Sequence, residues 1–156
     1  MIKNLLNFIL LSYLATQLIS CSSQQKSYIE SAEAAKQDHK YQEAISYYQK
    51  HLEKRLEAKK RPEWENPHIY LLDIGDMHLA INQPELALKK YLEAQNKNVR
   101  KELIADRIRL VASYYKENNQ TETAIALLEA HNDLDPELHN LILDRMAKEI
   151  VKNVGK

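Results

Sequence analysis

The side chain best placed for chemistry is Cys21, the only cysteine in the 156-residue chain. It closes the run Met1-Ile-Lys-Asn-Leu-Leu-Asn-Phe-Ile-Leu-Leu-Ser-Tyr-Leu-Ala-Thr-Gln-Leu-Ile-Ser-Cys21. A single thiol supports no intrachain disulfide, no paired redox motif and no cysteine-based zinc site. The other ligand-type side chains are scattered. The histidines are His39, His51, His68, His78, His131 and His139, and no two stand three or four apart as a helical metal pair requires. His78 is expected on a packing face as a core filler. With Gly75 and Gly155 the only glycines, neither Gly-x-Gly-x-x-Gly nor the P-loop spacing exists. No local pattern suggests a Ser-His-acid set. The sequence therefore predicts no catalytic residue, no metal and no cofactor, and an enzyme is the most remote reading.

The segment before Cys21 has the layout of an export signal. Lys3 supplies a positive start, Leu5 to Leu14 an apolar stretch, and Ser20 a small residue at a cut site. The stretch is shorter than the about 20 apolar residues of a membrane span and is interrupted by Asn7, Ser12, Thr16 and Gln17. With Leu18-Ile19-Ser20 directly ahead of the thiol, the segment resembles a bacterial lipoprotein signal. A plain secretory signal cut elsewhere is the competing reading. The resemblance implies that residues 1–20 are removed, that Cys21 carries the lipid, and that more than one acyl chain gives stable attachment. Ser22 rather than Asp after the cysteine implies, by analogy with Gram-negative sorting, the outer membrane facing the periplasm. Ser22 to Gln25 then form a tether spanning at most about 15 Å.

The remaining 136 residues, with 21 basic against 22 acidic side chains once Lys3 is gone, suit one ordinary domain and no nucleic-acid partner. Ala, Leu, Glu, Lys and Gln dominate, so the chain reads as helical almost throughout. It also resembles itself. Ala44 precedes Tyr48, Ala87 precedes Tyr91 and Ala124 precedes Leu128, each pair four apart and so on one helix face. Ahead of each runs a helix with a complementary face: Tyr28, Ser31, Ala32 and Ala35; Leu71, Ile74, Gly75 and His78; Ile108, Val111, Ala112 and Tyr115.

On these residues the segment 26–136 resembles the tetratricopeptide repeat family; Leu71, Ile74-Gly75, Ala87, Tyr91 and Ala94 fit its pattern well. The resemblance implies an all-α, right-handed solenoid of three helix pairs. The spacings, 43 and 37 residues between successive alanines, exceed the family's usual length. The first excess predicts a second helix reaching Lys60, broken by Pro62 and Pro67. The second predicts a lengthened turn or first helix near 96–101. Residues 137–156 hold a final helix and tail: Asp135 is the expected N-cap, Pro136 the first position, and Leu138, Leu141, Ile142, Met146, Ile150 and Val151 the apolar stripe that caps the array.

The resemblance places a groove on the first helices: Ile29, Glu33 and Lys36; Leu72, Asp76 and Leu79; Arg109, Ser113 and Lys116. Acidic positions early and basic ones late suit a peptide or helix with an apolar face and a charge gradient. Leu72→Lys or Asp76→Arg is expected to abolish partner capture without unfolding. Trp64, between Pro62 and Pro67, is a second candidate contact, with a plug between the first two pairs as its alternative role. The implied function is a lipid-anchored adaptor holding another protein of the bacterial envelope, in outer-membrane, pilus, secretion or cell-wall assembly. No small-molecule substrate is expected. The alternative is a structural subunit packing through its repeat ends.

Overall fold

The computed structural model describes residues 27–154, which are all-helical. Cys21, the leader and the tether lie outside the described residues. Seven α-helices follow one another: α1 (Tyr28–Gln37), α2 (Tyr41–Glu57), α3 (Tyr70–Ala80), α4 (Pro84–Asn96), α5 (Lys101–Glu117), α6 (Thr121–Ala130) and α7 (Pro136–Val154). Short 3₁₀ turns precede α3 (Pro67–Ile69) and α7 (Asn132–Leu134). Each helix packs chiefly on its neighbours in sequence, and α3 also touches α5.

Three-residue turns fold α1 on α2, α3 on α4 and α5 on α6, and they share one device. His39, Asn82 and Asn119 sit at φ near 60°, and the amide after each donates back to the carbonyl five residues earlier: Lys40 to Ala35 at 2.8 Å, Gln83 to His78 at 2.9 Å, Gln120 to Tyr115 at 2.8 Å. This is a Schellman close made without glycine. Asn98 closes α4 in the same way, with Val99 donating to Ala94.

The small residues let the paired helices approach. Ala44, Ala87 and Ala124 are fully buried, as are the bulky Tyr48, Tyr91 and Leu128 that follow them. Across each pair, Ala32, Gly75 and Ala112 occupy matching positions on α1, α3 and α5, and all three are buried. One continuous core runs from Ala32 to Met146.

Several boundaries differ from expectation. Helix α2 ends at Glu57, not Lys60, and Ala58 is extended. Residues 59–61 are all charged and exposed and offer no apolar side chain to bury, and Arg55 pairs bidentately with Glu65, drawing the following loop back onto the helix. The longer second interval lengthens α5, which begins at Lys101 where α3 has only a 3₁₀ turn ahead of it. Asp135 does cap α7, its carboxylate accepting from the Leu138 amide at 3.3 Å. The buried face of α7 is rotated from the predicted stripe. It carries His139, Ile142, Leu143 and Met146, whereas Leu138, Leu141, Ile150 and Val151 are exposed.

Candidate binding surface on the first helices

Helices α1, α3 and α5 bring together a row of half-buried polar side chains. Glu33 on α1 accepts the Tyr48 hydroxyl, and its counterpart Asp76 on α3 accepts the Tyr91 hydroxyl at 2.8 Å. Ser113 and Leu128 stand at the matching positions of α5 and α6, so the bond does not recur there. Asp76 also takes the Arg107 guanidinium at 3.0 and 3.3 Å, joining α3 to α5. Lys36 approaches Glu33 at 3.8 Å. Burial, with the neighbouring carboxylates in support, pushes both tyrosine hydroxyls far above their ordinary pKa.

Asp73 lies within this row and makes no hydrogen bond or ion pair. Burial, then the nearby Asp76 carboxylate, raise its pKa to about 6, against the opposing pull of Lys36 and Arg107. The sign of its pH effect follows. The folded chain binds the proton more tightly than the unfolded one, so the ionised group costs stability above about pH 6 and that cost vanishes as pH falls toward 4. Asp73→Asn is therefore expected to stabilise the fold by about 1 kcal/mol at pH 7.5, with the gain lost near pH 4. Urea denaturation at the two pH values checks this; an equal effect at both would sink it.

The structure separates the predicted groove residues. Ile29 and Leu79 are half-buried against the core, and Glu33, Lys36 and Asp76 lie in the row. Leu72 does not face a groove: it is only 3 % exposed, packed inside the core. Leu72→Lys would bury an ammonium, and Asp76→Arg would strip Tyr91 and Arg107 of their acceptor, so neither substitution separates binding from folding. The basic end of the expected charge gradient is also occupied. Arg109 is held by Asp106 and by Asp135 at 2.9 Å, and Lys116 by Glu149 of α7 at 2.7 Å. Ser113 remains exposed. Sequence reasoning missed Arg107 and Asp73. Each stands near a chosen position, but its reach depends on how far apart α3 and α5 sit, which spacing alone does not give. His78 is half-buried rather than a core filler, its Nδ1 at 2.8 Å from the Gln83 side-chain oxygen beside the turn.

Trp64 does not plug the gap between the first two helix pairs; it is 85 % exposed. It stands on the rim of a cavity of about 730 Å3 lined by His51, Arg55, Ile69, Tyr70, Arg100 and Leu103. The His51 ring meets Tyr70 edge-on with centroids 4.5 Å apart, and burial lowers its pKa. Among the described residues no group of three or more His, Cys, Asp or Glu is placed to hold a metal, and no helix is long and apolar enough to cross a membrane. No family model matches the chain, and no characterised protein matches it in sequence.

Proposed function

We propose that the chain is a lipid-anchored, tetratricopeptide-like adaptor of a bacterial envelope, carried on the outer membrane by Cys21 and binding a segment of another envelope protein. In this reading the three helix pairs are short solenoid repeats, α7 covers the last of them, and the first helices form the receiving face. The observation that carries it is the row Glu33, Lys36, Asp73, Asp76 and Arg107 on successive first helices, half-buried and containing one carboxylate without a partner. With Arg109 and Lys116 neutralised from within, the surface is acidic and fits a segment that brings a Lys or Arg to Asp73. The lipobox-like leader supports the location, and the anchor keeps any partner at the same membrane.

The test uses the full chain expressed in a Gram-negative host. Cys21→Ala should move the protein from the membrane to the soluble fraction and abolish acyl labelling; unchanged fractionation and labelling would sink the anchor. In-cell cross-linking with Asp73→Asn and Ser113→Arg tests the surface. Asp73→Asn should lose the cross-linked partner while gaining stability, a combination that unfolding cannot produce. Capture unaffected by both substitutions would exclude this face.

A further inference from the structure

The two long edges of the molecule differ in charge. One edge carries the tight turns 38–40, 81–83 and 118–120, where Asp38 and Lys40 pair at 3.1 Å and the remaining residues are His39, Ile81, Asn82, Gln83, Asn118, Asn119 and Gln120. The other edge carries the longer connections 58–66, 97–100 and 131–135, and the cations gather on the first two. There Lys59, Lys60, Arg61, Lys97, Arg100 and Lys101 are all exposed, and none is held in an ion pair. On the first two connections Glu57, Glu63 and Glu102 dilute this charge without cancelling it, and Arg55 and Glu65 neutralise each other, whereas the third connection is acidic, with Asp133 and Glu137 exposed.

The fold gathers these residues. The Asn66 amide donates to the Lys97 carbonyl at 2.8 Å, tying the first connection to the second. Lys59, Arg61 and Lys97 line one open cavity of about 560 Å3, and Trp64 and Arg100 share the rim of the next. The chain's N-terminal segment joins at this same edge, because α1 runs antiparallel to α2: the Lys54 ammonium lies 5.8 Å from the centroid of Tyr28, the first residue of α1.

We propose that this edge docks on an anionic lipid bilayer, with the six cations facing headgroup phosphates and Trp64 entering the interface. An indole with an apolar body and a polar N–H favours that depth, and a tryptophan exposed to water is otherwise a poorly placed residue. Each Lys or Arg near an anionic surface adds attraction, and the two effects combine on one rigid edge. Docking would fix the molecule's orientation and turn the first-helix surface toward a partner at the same membrane. The inference is read from the described edge and does not need Cys21 to be lipidated.

The test uses residues 22–156, which contain every described helix and the whole continuous core, and so fold without the leader. Trp64 is the only tryptophan, so intrinsic fluorescence reports it alone. On phosphatidylglycerol-containing vesicles its emission should shift to shorter wavelength and be quenched by brominated acyl chains, and added salt should reverse both. Phosphatidylcholine vesicles should give neither change. Lys59→Gln, Lys60→Gln and Arg61→Gln together should weaken partitioning by about 100-fold, roughly fivefold for each cation removed, with circular dichroism unchanged. Emission unaltered on anionic vesicles, a shift equal on neutral ones, or a shift seen only with protein-containing native membranes would each overturn the proposal. Because the tested chain is unlipidated, failure here leaves the Cys21 anchor standing, and failure of the anchor leaves this result standing.

Discussion

Gly75→Ala is expected to destabilise the fold by about 2 kcal/mol, although alanine is the better helix former by about 1 kcal/mol. A Cβ on Gly75 would lie 2.3 Å from Cε1 of Tyr91, 2.8 Å from Cδ1 and 2.9 Å from Cζ. The ring has nowhere to go: Tyr91 is fully buried, and its hydroxyl donates to Asp76, which Arg107 also holds. Helices α3 and α4 would have to separate, opening the core on both sides. At roughly 3–5 °C per kcal/mol for a domain of this size, Tm should fall by about 6–10 °C. The other hairpins indicate how to isolate the cause. Opposite Tyr48 the matching position is Ala32, and opposite Leu128 it is Ala112. Gly75→Ala with Tyr91→Leu recreates the third hairpin's combination inside the second. Tyr91→Leu alone loses packing and the hydroxyl bond, but in its presence Gly75→Ala should cost nothing or stabilise slightly. The double-mutant cycle should show a coupling of about 2 kcal/mol. A Gly75→Ala protein as stable as the parent would mean that the ring does not fix the spacing.

That glycine also marks how far the pattern of the sequence reaches. Apolar spacing of three and four, with Ala44, Ala87 and Ala124 as fixed points, located the seven α-helices of the described residues, because one buried face per helix is enough to set that period. What spacing does not carry is separation and rotation. Gly75 leaves no room for a Cβ against Tyr91, and α7 turns to bury His139 rather than Leu141; both depend on the volumes of side chains met from another helix. The turns were hard to see for a different reason. With so little glycine the chain closes its hairpins on His39, Asn82 and Asn119, residues that tolerate the left-handed conformation without announcing it.

The candidate surface was legible in outline and mistaken in detail for the same physical reason. The tetratricopeptide resemblance placed Glu33, Lys36 and Asp76 on one surface, and all three lie in the row of half-buried polar side chains. It could not reveal that Arg109 and Lys116 meet acids from outside their own pair, Asp135 and Glu149, because those contacts are set by how α7 crosses α5. An apparent charge gradient along one face thus becomes an acidic face with a neutralised end. Arg107, two residues from the one chosen, is the cation that reaches Asp76.

His139 should make the fold sensitive to mild acid. It is 0 % exposed, and neither ring nitrogen makes a hydrogen bond; Asn132 Oδ1 is likewise buried and unpaired. The His131 backbone is near enough to favour the charged ring, and so is Asp135. Burial outweighs them, and the Arg109 guanidinium adds to it, so the pKa falls below its ordinary value of 6.5. The unfolded chain then takes up this proton at a higher pH than the folded one, and stability is lost as pH drops below about 6.5. His51 and His68 act in the same direction, while Asp73 opposes them from about pH 6 downward. A wild-type pH curve alone therefore mixes several groups, but the difference between the wild type and His139→Leu isolates one. Leucine fills a similar volume and leaves no buried nitrogen unpaired, so the variant should gain about 1–2 kcal/mol at pH 7.5. Its advantage should widen below pH 6.5, by at most about 1.4 kcal/mol per pH unit. Denaturant midpoints across pH 5 to 8 read both effects. Parallel curves with a less stable variant would show that the ring is hydrogen-bonded in solution, through water shared with Asn132, and that the junction of α7 with α5 and α6 is held by that network.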